Sequence, residues 1–287
     1  AVLRQRGVPG DDRVLVQVEK SLGAVALYLA CLRVGAIYTP LNTAYTPAEV
    51  DYFIADAEPA LVVLSRVRAV NAPDVCELGE DETSPLWSAA LSAAPHAAIE
   101  RRSPDDIAAI LYTSGTTGRS KGAMLSIGNL ASNALTLVKL WGFQPNDVLL
   151  HALPIFHVHG LFVALHCAFL SAIPSIFLAK LDAHQLRSLL PRATVLMGVP
   201  TFYTRLLALP DFGAADCVNM RLFISGSAPL LAETHRAFEA RTGHRILERY
   251  GMTEAGMITS NLLEGGRMPG AVGYPLPGVS LSIAHER

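Results

Sequence analysis

Residues 113–122 read TSGTTGRSKG, with three threonines, two serines, three glycines, Arg119 and Lys121. These residue types suit an anion cradle: glycines let backbone N–H groups converge, hydroxyls add donors and Lys121 adds positive charge.

 The glycines are Gly115, Gly118 and Gly122. Two familiar nucleotide loops fail on spacing. A Walker-type loop needs a Gly-Lys pair followed by Ser or Thr, but Ser120 stands where that glycine belongs and Lys121 is followed by Gly122. No GxGxxG occurs in the stretch either. The loop directly follows the apolar run IAAILY at 107–112, a placement that a flexible linker does not need.

Three other stretches carry candidate chemistry. In FHVHG, His157 and His159 flank Val158, although a histidine in an apolar run is more often a satisfied core residue than a catalyst. ISGSAPL at 224–230 reads as a strand-to-helix turn. ERYGMTE at 248–254 gathers two carboxylates, a guanidinium, a phenol and a hydroxyl, and standing alone reads as an ordinary turn. Cys31, Cys76, Cys167 and Cys217 are widely spaced and form no CxxC pair, so buried thiols are expected rather than disulfides or a zinc site.

The elements that must position these residues alternate. A strand at 13–18, a helix capped by Ser21 and a strand at 36–41 make one βαβ unit. Pro47 opens a second helix, and a strand at 60–64 closes a second crossover. Residues 66–106 lose the alternation and read as a connector with one short helix near Trp87. Strand signals return at 107–112, 147–153, 175–178, 193–198 and 220–226 with helices between them. The expected fold is α/β, with mostly parallel sheets flanked by helices. Its expected divisions are 1–106, 107–249 with the phosphate loop, and 250–287, where Gly and Pro turns start a β-rich subdomain.

Composition excludes several classes. A net charge of −2 with 17% charged residues offers no broad attraction to nucleic acid or an anionic membrane, so neither partner is expected. The N-terminal stretch has no apolar h-region, which points to the cytoplasm. Residues 160–179 are apolar enough to suggest a membrane span, but His166 and Pro174 break them into a buried helix and a buried strand.

YTSGTTGRSKGAML resembles the phosphate-loop signature of the acyl-adenylate-forming, or AMP-binding, superfamily. LPIFHVHGL, ISGSAPL and ERYGMTEAG follow in that superfamily's order. Within it, ATVLMGVPTFYTRLL, FISGSAPLLAETHR and PGAVGYPLPGVS look most like the malonyl-CoA synthetase family. The resemblance covers nearly the whole chain. It implies a two-step ligase reaction in which a carboxylate attacks the α-phosphate of ATP and coenzyme A then displaces AMP to give a thioester. The acid implied is a small dicarboxylate such as malonate or methylmalonate.

The resemblance also implies roles. Thr113, Ser114, Gly115, Thr116, Thr117, Gly118 and Lys121 would hold the β- and γ-phosphates. Gly226, Ser227, Ala228 and Pro229 would lie along adenine, and Glu248, Arg249, Tyr250 and Gly251 would border the nucleotide, with Tyr250 near the base. Thr253 would contact phosphate and Glu254 would ligate Mg2+, a cation suited to carboxylate and phosphate oxygens. His157 would gate and orient the acid, so Lys121, His157, Thr253 and Glu254 form the expected catalytic set. A carboxylated substrate needs a buried cation. Arg249 is the first candidate, because a guanidinium grips a carboxylate with two parallel hydrogen bonds, and Arg236 is the reserve. Val158 and Met257 are expected to line the acyl site. Val158 stands where malonyl-specific relatives tend to carry threonine, which keeps methylmalonate beside malonate.

Against the family pattern, additional N-terminal strands and the mobile C-terminal domain are missing. The missing part would carry a ribose-binding aspartate and a catalytic lysine. The expectation is therefore a fragment or truncated product that adenylates poorly. The alternatives are a non-catalytic nucleotide- or acyl-binding remnant and an adenylation module serving a carrier protein.

Overall fold

The structure, a computed structural model, describes residues 1–8, 10–81, 83–113 and 119–284. The chain forms two compact units, Ala1–Leu130 with Ile155–His157, and Ala131–Pro154 with Val158–Arg287.

In the first unit, α1 (Val2–Gln5) precedes β1 (Arg13–Gln17), α2 (Leu22–Val34), β2 (Ile37–Pro40), α3 (Pro47–Ala57) and β3 (Leu61–Leu64). There follow β4 (Val75–Glu77), α4 (Pro85–Ser92), β5 (Ile107–Thr113) and β6 (Lys121–Ser126). Local chemistry sets the helix ends. The Ser21 hydroxyl accepts the Ala24 N–H at 3.1 Å, satisfying a donor that the first turn of α2 leaves open. Thr46 and Glu49 form a reciprocal capping box on α3, with Pro47 in the first turn where no N–H is needed. The sheet runs β4-β3-β1-β2-β5-β6, parallel throughout except for the antiparallel β5–β6 pair. Leu15, Val62, Val50, Phe53 and Ile54 close one face of it under α3.

α5 (Ile127–Leu140) carries the chain into the second unit. There β7 (Leu149–His151) is followed by a π-helical turn (His159–Leu165), α6 (His166–Leu170), β8 (Ser175–Phe177), α7 (Ala183–Leu189), β9 (Val195–Gly198) and α8 (Pro200–Leu207). The unit continues with β10 (Leu222–Ser225), α9 (Ala232–Thr242), β11 (Leu247–Met252), β12 (Gly256–Ser260) and β13 (Tyr274–Pro275). Its sheet runs β13-β12-β11-β10-β9-β7-β8, parallel from β8 to β11 and antiparallel beyond. Tyr203, Phe223 and Phe238 meet edge to face in its core, an arrangement that opposes ring edge to ring face. Trp141, fully buried, donates its indole N–H to Ser260 at 3.0 Å.

The parallel-dominated α/β class matches the sequence reading, but the expected divisions do not match the units. β5 pairs with β2, so residues 107–126 belong to the first sheet and the unit boundary falls at 130 rather than 106. Residues 250–284 form no unit of their own: β12 and β13 extend the second sheet. Periodicity identifies strands but not their partners, which explains both differences. β4 lies in the stretch read as a connector, and three residues are too few to show alternation. All four cysteines are buried and free. Among the described residues no helix is long and apolar enough to cross a membrane.

Candidate active site

In the first unit, β5 and β6 are the arms of a hairpin whose connection is the threonine- and glycine-rich loop. Thr113 and Lys121 are opposed across its base, with Lys121 exposed. Ser114, Gly115, Thr116, Thr117 and Gly118 lie outside the described residues. Both roots of the loop are tied to α3. Tyr112 donates to Asp56 at 2.6 Å and Tyr52 to the Ser120 carbonyl at 3.0 Å. Tyr52 and Asp56 stand four residues apart, one helical turn, so they share a face. Burial, then the bond to Asp56, pushes the Tyr112 phenol well above its ordinary pKa. His157 belongs to this unit and is exposed.

In the second unit a cavity of about 270 Å3 opens at the carboxyl ends of β10 and β11. Ser225, residues 227–230, residues 248–251, Gly270 and Val272 line it. The C-terminal edge of a parallel sheet is where α/β folds place ligands. Strand alternation sorts the charged pair of β11. Glu248 and Arg249 are neighbours in sequence, but successive strand side chains point to opposite faces. The Glu248 carboxylate accepts from the Gly270 N–H at 2.9 Å and pairs with His235 Nδ1 of α9 at 2.8 Å, both side chains being buried. The Glu248 carbonyl accepts from the Asn261 backbone and side chain at 3.0 and 2.9 Å. Glu248 therefore knits β11 to α9 and to the 270 loop.

Among the described residues Arg249 has no counter-ion. It is 3% exposed, its Nη2 donates to Ser227 Oγ at 3.5 Å, and Nε has no partner among the described residues. Burial lowers its pKa to about 10, which keeps it charged at neutral pH. The Ser225 hydroxyl, in register with Glu248 and so on the strand face opposite Arg249, is 1% exposed and also has no partner among the described residues. A buried cation bordering a cavity is costly unless a ligand satisfies it. Ser227, at φ 68°, holds its Oγ 3.3 Å from His159 Nδ1 as well.

The remaining candidates sit as follows. Tyr250 is half-exposed on the cavity wall. Ala228 and Pro229 line it too, whereas Gly226 lies beneath Arg249. Thr253 and Glu254 occupy the turn joining β11 to β12, Glu254 being exposed. Gly251 faces β12 where the register shifts, so close that a Cβ would lie 2.3 Å from the Gly256 carbonyl. Met257 is buried in the core and Val158 packs against that core; neither lines the cavity. Arg236 is not at the cavity: α9 turns Thr234, His235, Phe238 and Thr242 inward, leaving Arg236 exposed.

Sequence reasoning missed Ser225, His159, Gly270 and Val272. Ser225 had a signal, being the last residue of a strand that feeds a turn. His159 had only its pairing with His157, and the two loop residues had none, because a distant hydrogen bond brings them in. The cavity of the first unit near Leu27 and Trp87 contains none of the candidates.

The AMP-binding enzyme family profile matches residues 1–287. The chain belongs to the AMP-binding enzyme family. Among curated relatives of this AMP-binding chain, the mitochondrial malonate–CoA ligase ACSF3 of Mus musculus is 36% identical over 96% of the chain and 51% of its own length. The chain thus spans about half the length of such relatives. Among solved structures, ATP-bound MatB from Rhodopseudomonas palustris is 56% identical with a TM-score of 0.92, covering 97% of this chain and 57% of MatB. A malonyl-CoA ligase complexed with methylmalonyl-CoA and AMP is 31% identical with a TM-score of 0.81, covering 96% of this chain and 59% of the ligase. Two of these relatives are CoA ligases, named for malonate or malonyl-CoA.

Proposed function

We propose that the chain carries the nucleotide- and acid-binding part of a CoA ligase that activates a small dicarboxylic acid, malonate or methylmalonate, with ATP and passes it to coenzyme A. The observation that carries this reading is the Arg249 guanidinium, buried on the wall of the β10–β11 cavity with no counter-ion among the described residues. A monocarboxylic acid spends its one carboxylate on the reaction. The second carboxylate of a dicarboxylic acid is what such a cation can hold, by two parallel charge-assisted hydrogen bonds.

ATP is the proposed nucleotide, in keeping with the ATP-bound MatB structure. In the first unit, Thr113, Lys121 and residues 114–118 are assigned to its terminal phosphates, with the loop roots held by Tyr52 and Asp56. In the second unit, residues 227–229, Tyr250 and Gly251 are assigned to the base and Thr253 to phosphate. The turn at Thr253 and Glu254 suits Mg2+, which commonly takes one or two carboxylates and completes its shell with phosphates and water. Among the described residues no group of three or more His, Cys, Asp or Glu could hold a metal, so an all-protein cage is not the alternative. Glu254 would hold the ion, whose charge offsets that of the phosphates. His157 is assigned to orienting the acid.

The test is calorimetric titration of the chain with malonate, methylmalonate and acetate in the presence of Mg-ATP, beside malonate-dependent ATP–pyrophosphate exchange. The expected order is dicarboxylates well above acetate. Equal affinity for acetate and malonate would remove the dicarboxylate from the reading.

A further inference from the structure

Gly226 follows β10 and lies under Arg249. A Cβ built on it falls 2.4 Å from Cζ, 2.5 Å from Nε and 2.7 Å from Nη1 of the guanidinium. Carbon atoms in ordinary contact stand about 3.5–4.0 Å apart, so any side chain here must displace the cation by about an ångström. Backbone conformation does not demand glycine, since Gly226 is outside the left-handed region. Space does. Arg249 is 3% exposed and Ser227 Oγ holds one of its ends, so the open direction for a displaced guanidinium is the cavity it helps to line.

We propose that Gly226 is a specificity-determining residue of the acid site: its bare backbone seats the Arg249 guanidinium at the depth where a substrate carboxylate meets it. This rests on the reading of the cavity as a carboxylate site. It departs from a role for Gly226 in letting the backbone approach adenine, and the two roles make different demands. A residue that serves adenine changes the affinity for ATP when substituted, whereas a residue that seats Arg249 changes the affinity for the acid, and only while Arg249 is present.

The experiment is a double-mutant cycle on the whole chain with Gly226→Ala, Arg249→Met and the two combined. Calorimetry gives the Kd of malonate and of Mg-ATP, and unfolding without ligand gives the Tm. Gly226→Ala is expected to weaken malonate at least about tenfold, leave ATP within about twofold and lower the Tm by several degrees. In the Arg249→Met background the same change should alter neither malonate affinity nor Tm. Equal losses in both backgrounds, a loss of ATP affinity matching that of malonate, or unchanged malonate binding would each overturn the proposal. Should Gly226→Ala fail to fold, folding restored by Arg249→Met supports the seat and failure of both variants overturns it. Equal malonate binding by the original chain and Arg249→Met overturns the carboxylate reading, and the specificity role with it; a coupled pair of Tm values would then leave the contact as packing alone.

Discussion

Replacing Arg249 by methionine separates binding from stability in a way that few substitutions do. Methionine fills much of the same volume with a flexible apolar chain, so the cavity it leaves is small. In the ligand-free chain the guanidinium is buried with no counter-ion among the described residues, a condition that costs several kcal/mol for an ion in a protein interior. Removing it should therefore leave the ligand-free chain as stable as before, or more so. With malonate bound the balance reverses. Loss of one partner of a buried, hydrogen-bonded ion pair costs about 3–5 kcal/mol, and at about 1.4 kcal/mol per decade that is roughly two to three and a half powers of ten in Kd. Urea unfolding and malonate calorimetry on the same preparations read both quantities. Because burial lowers the Arg249 pKa only to about 10, the cation persists from pH 6 to 9, and malonate affinity should not fall over that range through loss of its charge. Malonate binding within about threefold of the original chain, together with a loss of more than about 2 kcal/mol of stability, would refute the reasoning and make Arg249 a structural residue.

Three further outcomes follow from the contacts. His235→Phe leaves the Glu248 carboxylate buried with the Gly270 N–H as its remaining partner among the described residues, and should destabilise the chain by about 3–5 kcal/mol in urea unfolding. Asp147 is depressed in the folded chain: burial would raise its pKa, but Arg221, the Gln144 N–H and the Thr194 hydroxyl outweigh it. Its stabilisation is complete above the ordinary value of 3.8 and is lost as pH falls through the lower folded value, so Asp147→Asn should lower Tm at pH 6 and flatten its acid decline. Tyr112→Phe removes the bond to Asp56 and should cost about 1 kcal/mol of stability while weakening Mg-ATP binding, with Tm and calorimetry as the readouts.

How far the site was legible in the sequence depends on the range of the interaction that makes it. Strand and helix identities are local, and Ser21, Thr46 and Pro47 announced two helix starts that the structure keeps. The turn after β10 was legible because residue types cluster there, whereas ERYG, which taken alone reads as a turn, is most of strand β11. Pairing was not: β5 joins the first sheet through β2, a partner about seventy residues earlier that periodicity does not name. The division of labour within ERYG was hidden for a related reason. By resemblance, Glu248 and Arg249 are both expected to border the nucleotide. As adjacent residues of β11 they face opposite ways, and His235 and Gly270 engage the carboxylate from elsewhere in the fold. That engagement is what leaves Arg249 uncompensated. A fold that secures its carboxylate with a histidine and a backbone N–H frees the neighbouring cation for a ligand, so the structural role of Glu248 and the binding role proposed for Arg249 are two consequences of one strand register.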